Sequence, residues 1–519
     1  MNFINNIFKS GDIWGAPDGA LSLVLAEAAR VQAPIIFVAR DDARLASVEA
    51  GLKCINPKLD MWVLPAWDCL PFDRLSPQGE LVGRRIETLA RLCAGEAPSI
   101  LLTTINAIVQ KLPPPDYFTD SSLVITPASA HSPASLAEFL SNHSYLRTDT
   151  VRETGEFAIR GGIVDVFPPG HSDPVRLDFF GDEIETMRVF DAASQRSTGR
   201  LDRLVLRPVA EFMLTEANIS RFRTGYLKAF GGSASRDALY ESVSAGRMHP
   251  GIEHWLPLFH DRLATLEDYC PGWPLFLDHE GDAAYAARQA QIQDFFEARN
   301  QHDKDDETAP YRPLPPDQLY LSDEHIQTVL LGPSTRRFFA FAAPETAGSD
   351  RSIQGKSDAG GRAGIRLATS GAASAITDCV AAIIAERQGK KRPVVLACSS
   401  AGAASRLTDL LEHQIGAGVV QPVSTLTEVK HAGVYITQWP LETGFQTDHI
   451  LVFAEPDIFG QRLSRPQSKR GRSDDFLREV SALETGDLVV HAEHGIGRYE
   501  GLVTINSAGG DHDCLHLAY

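Results

Sequence analysis

Features of secreted and membrane proteins are scarce in this 519-residue sequence. No apolar run approaches the length of about 18 residues that a membrane-spanning helix needs. The N-terminus, Met1 to Ser10, lacks a basic stretch followed by an apolar one, so no signal peptide is expected. The seven cysteines are scattered, odd in number and never spaced C-x-x-C, which argues against a disulfide framework or a zinc site. The sequence therefore predicts a cytoplasmic protein with reduced thiols.

Basic residues are in the minority, because 49 Lys and Arg stand against 67 Asp and Glu, for a formal net charge of −18. Such a field repels nucleic acid, so DNA binding is not expected to be the main activity of the chain. Docking to other proteins is the favoured class of function. One alternative is direct DNA contact through a basic run that is more typical of a solvated linker: Arg462, Arg465, Lys469, Arg470 and Arg472.

The first part of the chain, residues 1–127, has the pattern of a parallel α/β domain. Short apolar runs at 34–39, 61–64 and 100–103 predict buried strands. A helical apolar stripe between the last two, at Val82, Ile86, Leu89 and Cys93, predicts a strand–helix–strand order, which implies a parallel sheet. With 43% hydrophobic residues, the whole chain is expected to fold into roughly three to five globular domains.

Residues 128–208 change to the alternation of period 2 that is typical of half-buried strands. It appears in 162–167, in 175–180 and again up to Asp191, with Gly181-Asp182 as a two-residue loop between the last two runs. A loop of this kind between alternating runs signals a hairpin. The segment is therefore predicted to be a small antiparallel domain.

The rest of the chain returns to mixed patterns. Residues 209–343 and 371–460 alternate helix with strand, and the second of these forms a small α/β domain of unknown role. Between them, 344–370 is rich in Gly, Ser and Asp and is predicted to be a flexible linker. A charged connector covers 461–485. The β-rich segment 486–519 stops in mid-strand by its alternation, so we expect a fragment or a truncated product.

A phosphate-binding loop is suggested only weakly near the N-terminus. The pattern G-x-x-x-x-G-K-[ST] uses glycine amides and a lysine to hold phosphate. Here Gly15 and Ser22 fit the frame, but Ala20 replaces the second glycine and Leu21 replaces the lysine. A coincidental turn before a helix is the alternative, and ATP hydrolysis is not expected on either interpretation.

The matching metal-binding strand end is also incomplete. After the apolar run at 275–277 come Asp278 and then His279, where a nucleotide hydrolase would have Asp-Glu. A plain strand end with solvent-facing acids is the alternative. The spacing of His491, Glu493 and His494 does not fit a helical metal site, so no metal centre is predicted.

The strand at 175–180 is more informative. Its alternation places Val175, Leu177 and Phe179 on the core face. Arg176, Asp178 and Phe180 then share the other face, near Arg160 of a neighbouring strand. Arginine beside an aromatic residue is the composition of an interface hot spot. The alternative pairs Arg176 with Asp178 or Glu183 and places Phe180 under a loop, and the pattern alone favours neither.

Four segments in the same order carry a family resemblance: LPAWDCLPFD at 64–73, GEFAIRGGIVDVFP at 155–168, RLDFFGDEIE at 176–185 and GDLVVHAEHGIGRY at 486–499. Together they resemble the N-terminal portion of the bacterial transcription-repair coupling factors, the Mfd family, with its UvrB-like module. The resemblance is weakest between residues 344 and 473.

The resemblance implies an α/β multidomain fold. A degenerate helicase-like parallel domain is formed by 1–127 and 209–343, the UvrB-like domains 1a and 1b. The small antiparallel α+β domain at 128–208 is inserted between them. The α/β domain at 371–460 follows, and 486–519 begins an SH3/Tudor-like, CarD-like β barrel.

The resemblance also implies site residues. Arg160, Arg176 and Phe180 match the family's UvrA-binding motif. Ile505 matches the position that contacts the RNA polymerase β subunit, with a core isoleucine as the alternative. A decayed nucleotide site would comprise Gly15, Ala20, Leu21, Ser22, Asp278 and His279. Only residues 65–79 stand where UvrB has its aromatic DNA-probing hairpin, so lesion probing is not expected.

The predicted function is therefore a non-catalytic adaptor of transcription-coupled nucleotide excision repair, which recruits UvrA to RNA polymerase stalled at lesions. ATP, magnesium and DNA contact are expected only for the family's C-terminal translocase, which these residues do not match. In the family a C-terminal domain masks the UvrA-binding surface, and the sequence does not decide whether that surface is covered at rest in this chain. The alternative is a UvrB-like ATPase that binds damaged DNA.

Overall fold

A computed structural model describes residues 12–16, 18–119, 121–127, 129–302, 311–330, 332, 334–339, 379–384, 389, 392–447, 449–459, 486, 488–491, 495–507 and 510–518. The strands are β1 Asp12–Ile13, β2 Ile35–Ala39, β3 Met61–Leu64, β4 Ile100–Thr104, β5 Leu123–Ile125, β6 Leu146–Arg147, β7 Glu156–Arg160, β8 Ile163–Val166, β9 Val175–Phe180, β10 Glu183–Phe190, β11 Ser197–Arg200, β12 Leu204–Leu206, β13 Leu275–Leu277, β14 Thr335–Phe338, β15 Val394–Cys398, β16 Val420–Pro422, β17 Val434–Gln438, β18 Phe445–Gln446, β19 Leu451–Ala454, β20 Leu488–His491, β21 Gly495–Ser507 and β22 Gly510–Ala518.

The helices are α1 Asp18–Val31, α2 Asp42–Ile55, α3 Gly79–Cys93, α4 Ile105–Val109, α5 Asp116–Thr119, α6 Pro133–Asn142, α7 Glu216–Phe230, α8 Ala238–Ser244, α9 Leu266–Tyr269, α10 Gly281–His302, α11 Pro316–Leu319, α12 Asp323–Leu330, α13 Ala401–Ile415 and α14 Glu455–Phe459. Two units can be distinguished, Met1–Gly460 and Gln461–Tyr519. Within the described residues, none of the helices is long and apolar enough to cross a membrane.

The central sheet of the first unit has six parallel strands in the order β1-β14-β13-β2-β4-β3. The strands predicted within residues 34–39, 61–64 and 100–103 are confirmed. Strands β13 and β14 come from the 209–343 segment, yet they hydrogen-bond into the sheet formed by the first hundred residues. Helices α1 and α2 pack on one face of the sheet, and α3 and α10 pack on the other.

The inserted segment forms a second six-stranded sheet, ordered β11-β10-β9-β8-β7-β6, in which only β6 and β7 run parallel. The predicted hairpin is confirmed, because Glu183 pairs with Phe180 across the Gly181-Asp182 loop. Gly181 has φ +63°, a left-handed conformation that glycine adopts without steric cost. Strands β5 and β12 pair where the chain enters and leaves the insertion.

The third sheet of this unit is ordered β16-β17-β15-β19-β18, with β18 antiparallel to its neighbour. Helix α13 buries Ala403, Leu407 and Leu411 against it. Its opposite side packs on α1 and α2, since Trp439 and Phe445 share a buried cluster with Ala20 and Cys54. The third domain is therefore docked on the first.

In the second unit, β20, β21 and β22 form a three-stranded antiparallel sheet. Ile505 lies in β21, where it pairs with His512 in register. The predicted linker 344–370, the connector 461–485 and the basic run from Arg462 to Arg472 lie outside the described residues.

Candidate functional site

The solvent-facing side of the inserted sheet is organised around one buried carboxylate. Asp165 is 1% exposed and accepts hydrogen bonds from two arginines. Arg176 donates through Nε to Oδ1 at 2.7 Å and through Nη2 to Oδ2 at 2.9 Å, and Arg160 donates through Nη2 to Oδ2 at 3.2 Å. Arg176 also lies over the ring of Phe190, 4.7 Å from its centroid. Two guanidinium groups around one carboxylate leave a net positive charge held in a fixed geometry.

Phe180 and Arg160 are exposed as the alternation predicts, but Arg176 is not fully so. Phe180 is 80% exposed, whereas the side chains of Arg160 and Arg176 are 53% and 18% exposed. The Arg176 side chain is more buried than that of Arg160 because the β8–β9 register places Asp165 directly opposite Arg176. The structure thus brings Arg160 and Arg176 together through a residue that the sequence analysis missed.

The alternative in which Arg176 pairs with Asp178 or Glu183 and a loop covers Phe180 is wrong. Asp178 does not bind Arg176; it accepts from Arg188 at 2.7 and 3.1 Å and from the Thr186 hydroxyl at 2.7 Å. No described loop covers Phe180, given its exposure. An aromatic side chain this exposed gains little free energy from burial on folding.

The basic character continues along the sheet. Cross-strand partners form one row on the solvent-facing side, in which Arg200 is opposite Arg188, Arg188 is opposite Arg176, and Arg176 is opposite Asp165. With Arg160, this side carries four arginines. Asp165 and Asp178 accept hydrogen bonds from three of them, and Glu183, which pairs with Phe180 in register, lies on the same side. A partner that presents carboxylates to these arginines would complement it.

The remnant phosphate loop is filled with side chains. Ala20, Leu21 and Ser22 are 1%, 0% and 3% exposed, and Leu21 packs in the core between the sheet and α1. A Cβ atom at Gly19 would lie 2.6 Å from the Phe445 ring, so the docked third domain is in contact with the first turn of α1. Gly15 keeps a left-handed φ of +69°. The lysine that would hold a phosphate is replaced by the buried Leu21, and the Phe445 ring lies against the first turn of α1.

Asp278 is also buried, and its carboxylate is paired with an arginine. Its side chain is 0% exposed and accepts from Arg44 Nε at 3.1 Å and from Arg44 Nη2 at 3.3 Å. The alternative of solvent-facing acids is therefore wrong for Asp278, although Glu280 is 69% exposed. His279 Nδ1 lies 3.1 Å from Arg40 Nη1. Among the described residues, no group of acidic, histidine and cysteine side chains could hold a metal ion.

Residues 65–79, at the position of the UvrB hairpin, are hydrogen-bonded to the rest of the domain. Residues 65–78 contain no strand, and Phe72 is buried with a φ of +56°. The Asp73 amide donates to His254 Nε2 at 3.0 Å, and the Ser76 hydroxyl donates to Glu253 Oε2 at 2.8 Å. The segment is thus a connector packed on the protein through His254 and Glu253.

The Glu253 carboxyl gives this connector a pH-dependent stability. Burial raises its pKa from 4.5 to about 7, so the folded state binds the proton more tightly than the unfolded chain. The stabilisation is complete below about pH 4.5 and is lost as the pH rises through about 7. Relative to Glu253→Gln, the wild type should lose about 2–3 kcal/mol of unfolding free energy between pH 5 and pH 8. Urea unfolding followed by tryptophan fluorescence measures this, and equal pH profiles for both proteins would contradict it.

Two known protein families match parts of this chain, one in the inserted domain and one in the C-terminal segment. Residues 123–212 match the UvrB interaction domain, and residues 483–519 match the CarD-like/TRCF RID domain. The first match contains Asp165 and the arginine-rich face. The second contains β20 to β22 and Ile505.

Curated relatives match over most of the chain. The transcription-repair-coupling factor of Escherichia coli is 29% identical over 98% of this chain and 43% of its own length. Those of Rickettsia bellii and Mycobacterium bovis are each 28% identical, over 89% and 97% of this chain and 40% and 41% of their own lengths. The chain thus spans about two fifths of the length of these relatives. The matches confirm the resemblance carried by the sequence motifs: over nearly its whole length, the chain is similar to the N-terminal two fifths of transcription-repair-coupling factors.

Proposed function

We propose that this chain is a docking module of transcription-coupled nucleotide excision repair, which binds UvrA through the inserted sheet and the RNA polymerase β subunit through the C-terminal sheet. The observation that carries the proposal is the pair of arginines fixed on Asp165 beside the exposed Phe180. It lies within the residues that match the UvrB interaction domain. An exposed aromatic anchor beside oriented guanidinium groups suits an acidic protein surface better than a small ligand.

Catalysis has no part in this proposal. The remnant nucleotide site is filled by Leu21 and bordered by Phe445, and Asp278 is neutralised by Arg44. These contacts speak against the UvrB-like ATPase that the sequence leaves as an alternative. We assign ATP-driven release of the polymerase to the part of the relatives that this chain does not cover.

The two docking surfaces can be tested by reciprocal substitutions. Phe180→Ala should weaken UvrA binding about 30-fold, or ~2 kcal/mol, because it removes the exposed anchor, and should leave polymerase binding unchanged. Ile505→Asp should have the opposite pattern. Combining Phe180→Ala with Arg176→Ala should raise the loss to several kcal/mol. The measurement is surface plasmon resonance with purified UvrA and with the polymerase β subunit.

Phe180→Ala is a cleaner variant than Arg176→Ala, because removal of Arg176 also deprives the buried Asp165 of its bidentate partner. Leu75→Ala is the matched control, since Leu75 is also an exposed apolar residue, at 65%, but lies outside the inserted domain. Unchanged UvrA affinity in Phe180→Ala, with its melting temperature preserved, would refute the proposed surface.

A further inference from the structure

A second cavity lies at the carboxyl edge of the central sheet, beside Asp278 and His279, to which Arg40 of its lining is hydrogen-bonded. It is open, with a volume of about 570 Å³, and is bordered by the residues that follow β2, β4 and β13 and by the first turns of α10. Its polar lining comprises Arg40, Asp41, Asn106, Glu280, Arg288 and Gln291. Neither the UvrA-binding surface nor the polymerase-binding segment includes any of them.

The position is one at which parallel α/β sheets bind ligands. Helix α2, which follows β2, packs on one face of the sheet, whereas α10, which follows β13, packs on the other. Adjacent strands whose following helices diverge leave a crevice beyond their carboxyl ends. The cavity also falls within the size range of small-molecule sites, about 300–1,000 Å³.

Arg288 is the unusual residue of the lining. It is 9% exposed, and its Nε is buried without a hydrogen-bond partner. Its Nη1 donates to Gln291 Oε1 at 2.6 Å, and within the described part of the chain it forms no ion pair. The charge of the Asp42 carboxylate acts on Arg288, but Asp42 forms no ion pair with that guanidinium group in the described part of the chain. A buried cation that lacks a contacting carboxylate is costly in free energy, and an anionic ligand in the cavity would lower that cost.

The two acids of the lining share one cation. Arg40 lies 3.6 Å from Asp41 and 3.3 Å from Glu280, and both carboxylates are mostly in solvent, at 55% and 69% exposure. Arg288 is the second cation of the lining and has no such contact with either acid, so it is the one left for a ligand, with the Asn106 amide as a further donor. The first turn of α10 adds backbone amides and the positive end of the helix dipole, an arrangement that suits phosphate.

We propose that this cavity binds a phosphate group, with Arg288 as its main ligand and Asn106 and the start of α10 as supporting donors. The phosphate belongs either to a free nucleotide or to a nucleic-acid strand. In both cases the same guanidinium group would contact it.

Thermal unfolding of the full 519-residue protein tests the site. At constant ionic strength, replacing chloride by inorganic phosphate should raise the melting temperature of the wild type about 2–4 °C more than that of Arg288→Met. Phosphate also stabilises proteins by exclusion from their surface, but that effect is common to both proteins and cancels in the difference. In chloride, Arg288→Met should melt no lower than the wild type, because the substitution removes an unpaired buried charge.

Arg299→Met is the matched control. Arg299 lies on the same helix, but it donates to the Phe72 carbonyl at 2.9 Å and does not line the cavity, so this variant should keep the full phosphate response. ATP and an oligothymidylate without terminal phosphates distinguish a free nucleotide from a nucleic-acid strand. The one that supplies the phosphate should raise the melting temperature of the wild type more than that of Arg288→Met. If Arg288→Met does not fold, Asn106→Ala should still show a reduced phosphate response. Equal phosphate responses in the wild type and Arg288→Met, or in Asn106→Ala if that variant is used instead, would overturn the proposal.

Discussion

Replacing Glu211 with alanine should lower the free energy of unfolding by about 3–5 kcal/mol, because it leaves Arg85 charged and buried without a counter-ion. The two side chains are 1% and 0% exposed, and Arg85 Nε lies 2.5 Å from Glu211 Oε1. The Trp67 indole donates to the same oxygen at 3.2 Å. Urea unfolding of the two proteins at one pH measures the loss.

The Arg85–Glu211 ion pair joins segments that are distant in the chain, so its loss should loosen one of them. Glu211 follows the inserted domain in the chain, whereas Arg85 lies on α3 and also donates to the Pro65 carbonyl at 2.6 Å. The pair therefore fastens the returning chain and the 65–78 connector to the central sheet. We expect the Glu211→Ala protein to expose the start of this connector to proteases before the sheets unfold.

A paired substitution separates charge from packing. Arg85→Met with Glu211→Leu removes both charges and keeps most of the buried volume, so it should recover most of the stability that Glu211→Ala loses. Glu96→Gln is a control, because it removes the partly exposed ion pair of Glu96 with Arg91, which should contribute less than about 1 kcal/mol, and keeps Arg91 over the Trp62 ring. A Glu211→Ala protein as stable as Glu96→Gln would show that the buried pair contributes little.

The sequence predicts the local features of the solvent-facing side of the inserted sheet well. Strand β9 and the exposed position of Phe180 follow from alternation within six residues, and the hairpin follows from Gly181-Asp182. The role of Asp165 does not follow from these patterns, because it depends on the register between β8 and β9. Alternation assigns Arg176 to a face, but only the cross-strand neighbour determines how deeply its side chain lies.

Contacts between distant parts of the chain are the features that could not be predicted. Strand β13 pairs with β2 and β14 pairs with β1, although more than 200 residues separate the partners. The docking of Phe445 against Gly19 is equally remote in sequence. The residues at 15–22 keep part of the frame of a phosphate loop in the sequence, whereas only the tertiary structure shows which side chains border them.

Asp278 is the remnant-site residue whose substitution should have the largest effect, and that effect should be on stability. Asp278→Ala removes the two carboxylate oxygens that accept hydrogen bonds from Arg44, whose side chain is 6% exposed, and should lower the free energy of unfolding by about 3–5 kcal/mol. It also removes the acceptors of the Arg40 and His279 amides, at 3.4 and 3.0 Å. Chemical unfolding and an ATP hydrolysis assay on the same preparations measure both consequences.

A magnesium-binding aspartate would behave differently. In a working ATPase, Asp278→Asn would abolish turnover and largely preserve stability, since a metal ligand faces the nucleotide rather than a buried arginine. Here we expect the wild type to show no turnover and Asp278→Asn to be clearly destabilised, because a neutral amide cannot balance Arg44. Glu280→Gln is the matched control, because its 69% exposed carboxylate contributes little. ATP hydrolysis by the wild type that disappears in Asp278→Asn would instead establish a working nucleotide site and refute the adaptor proposal.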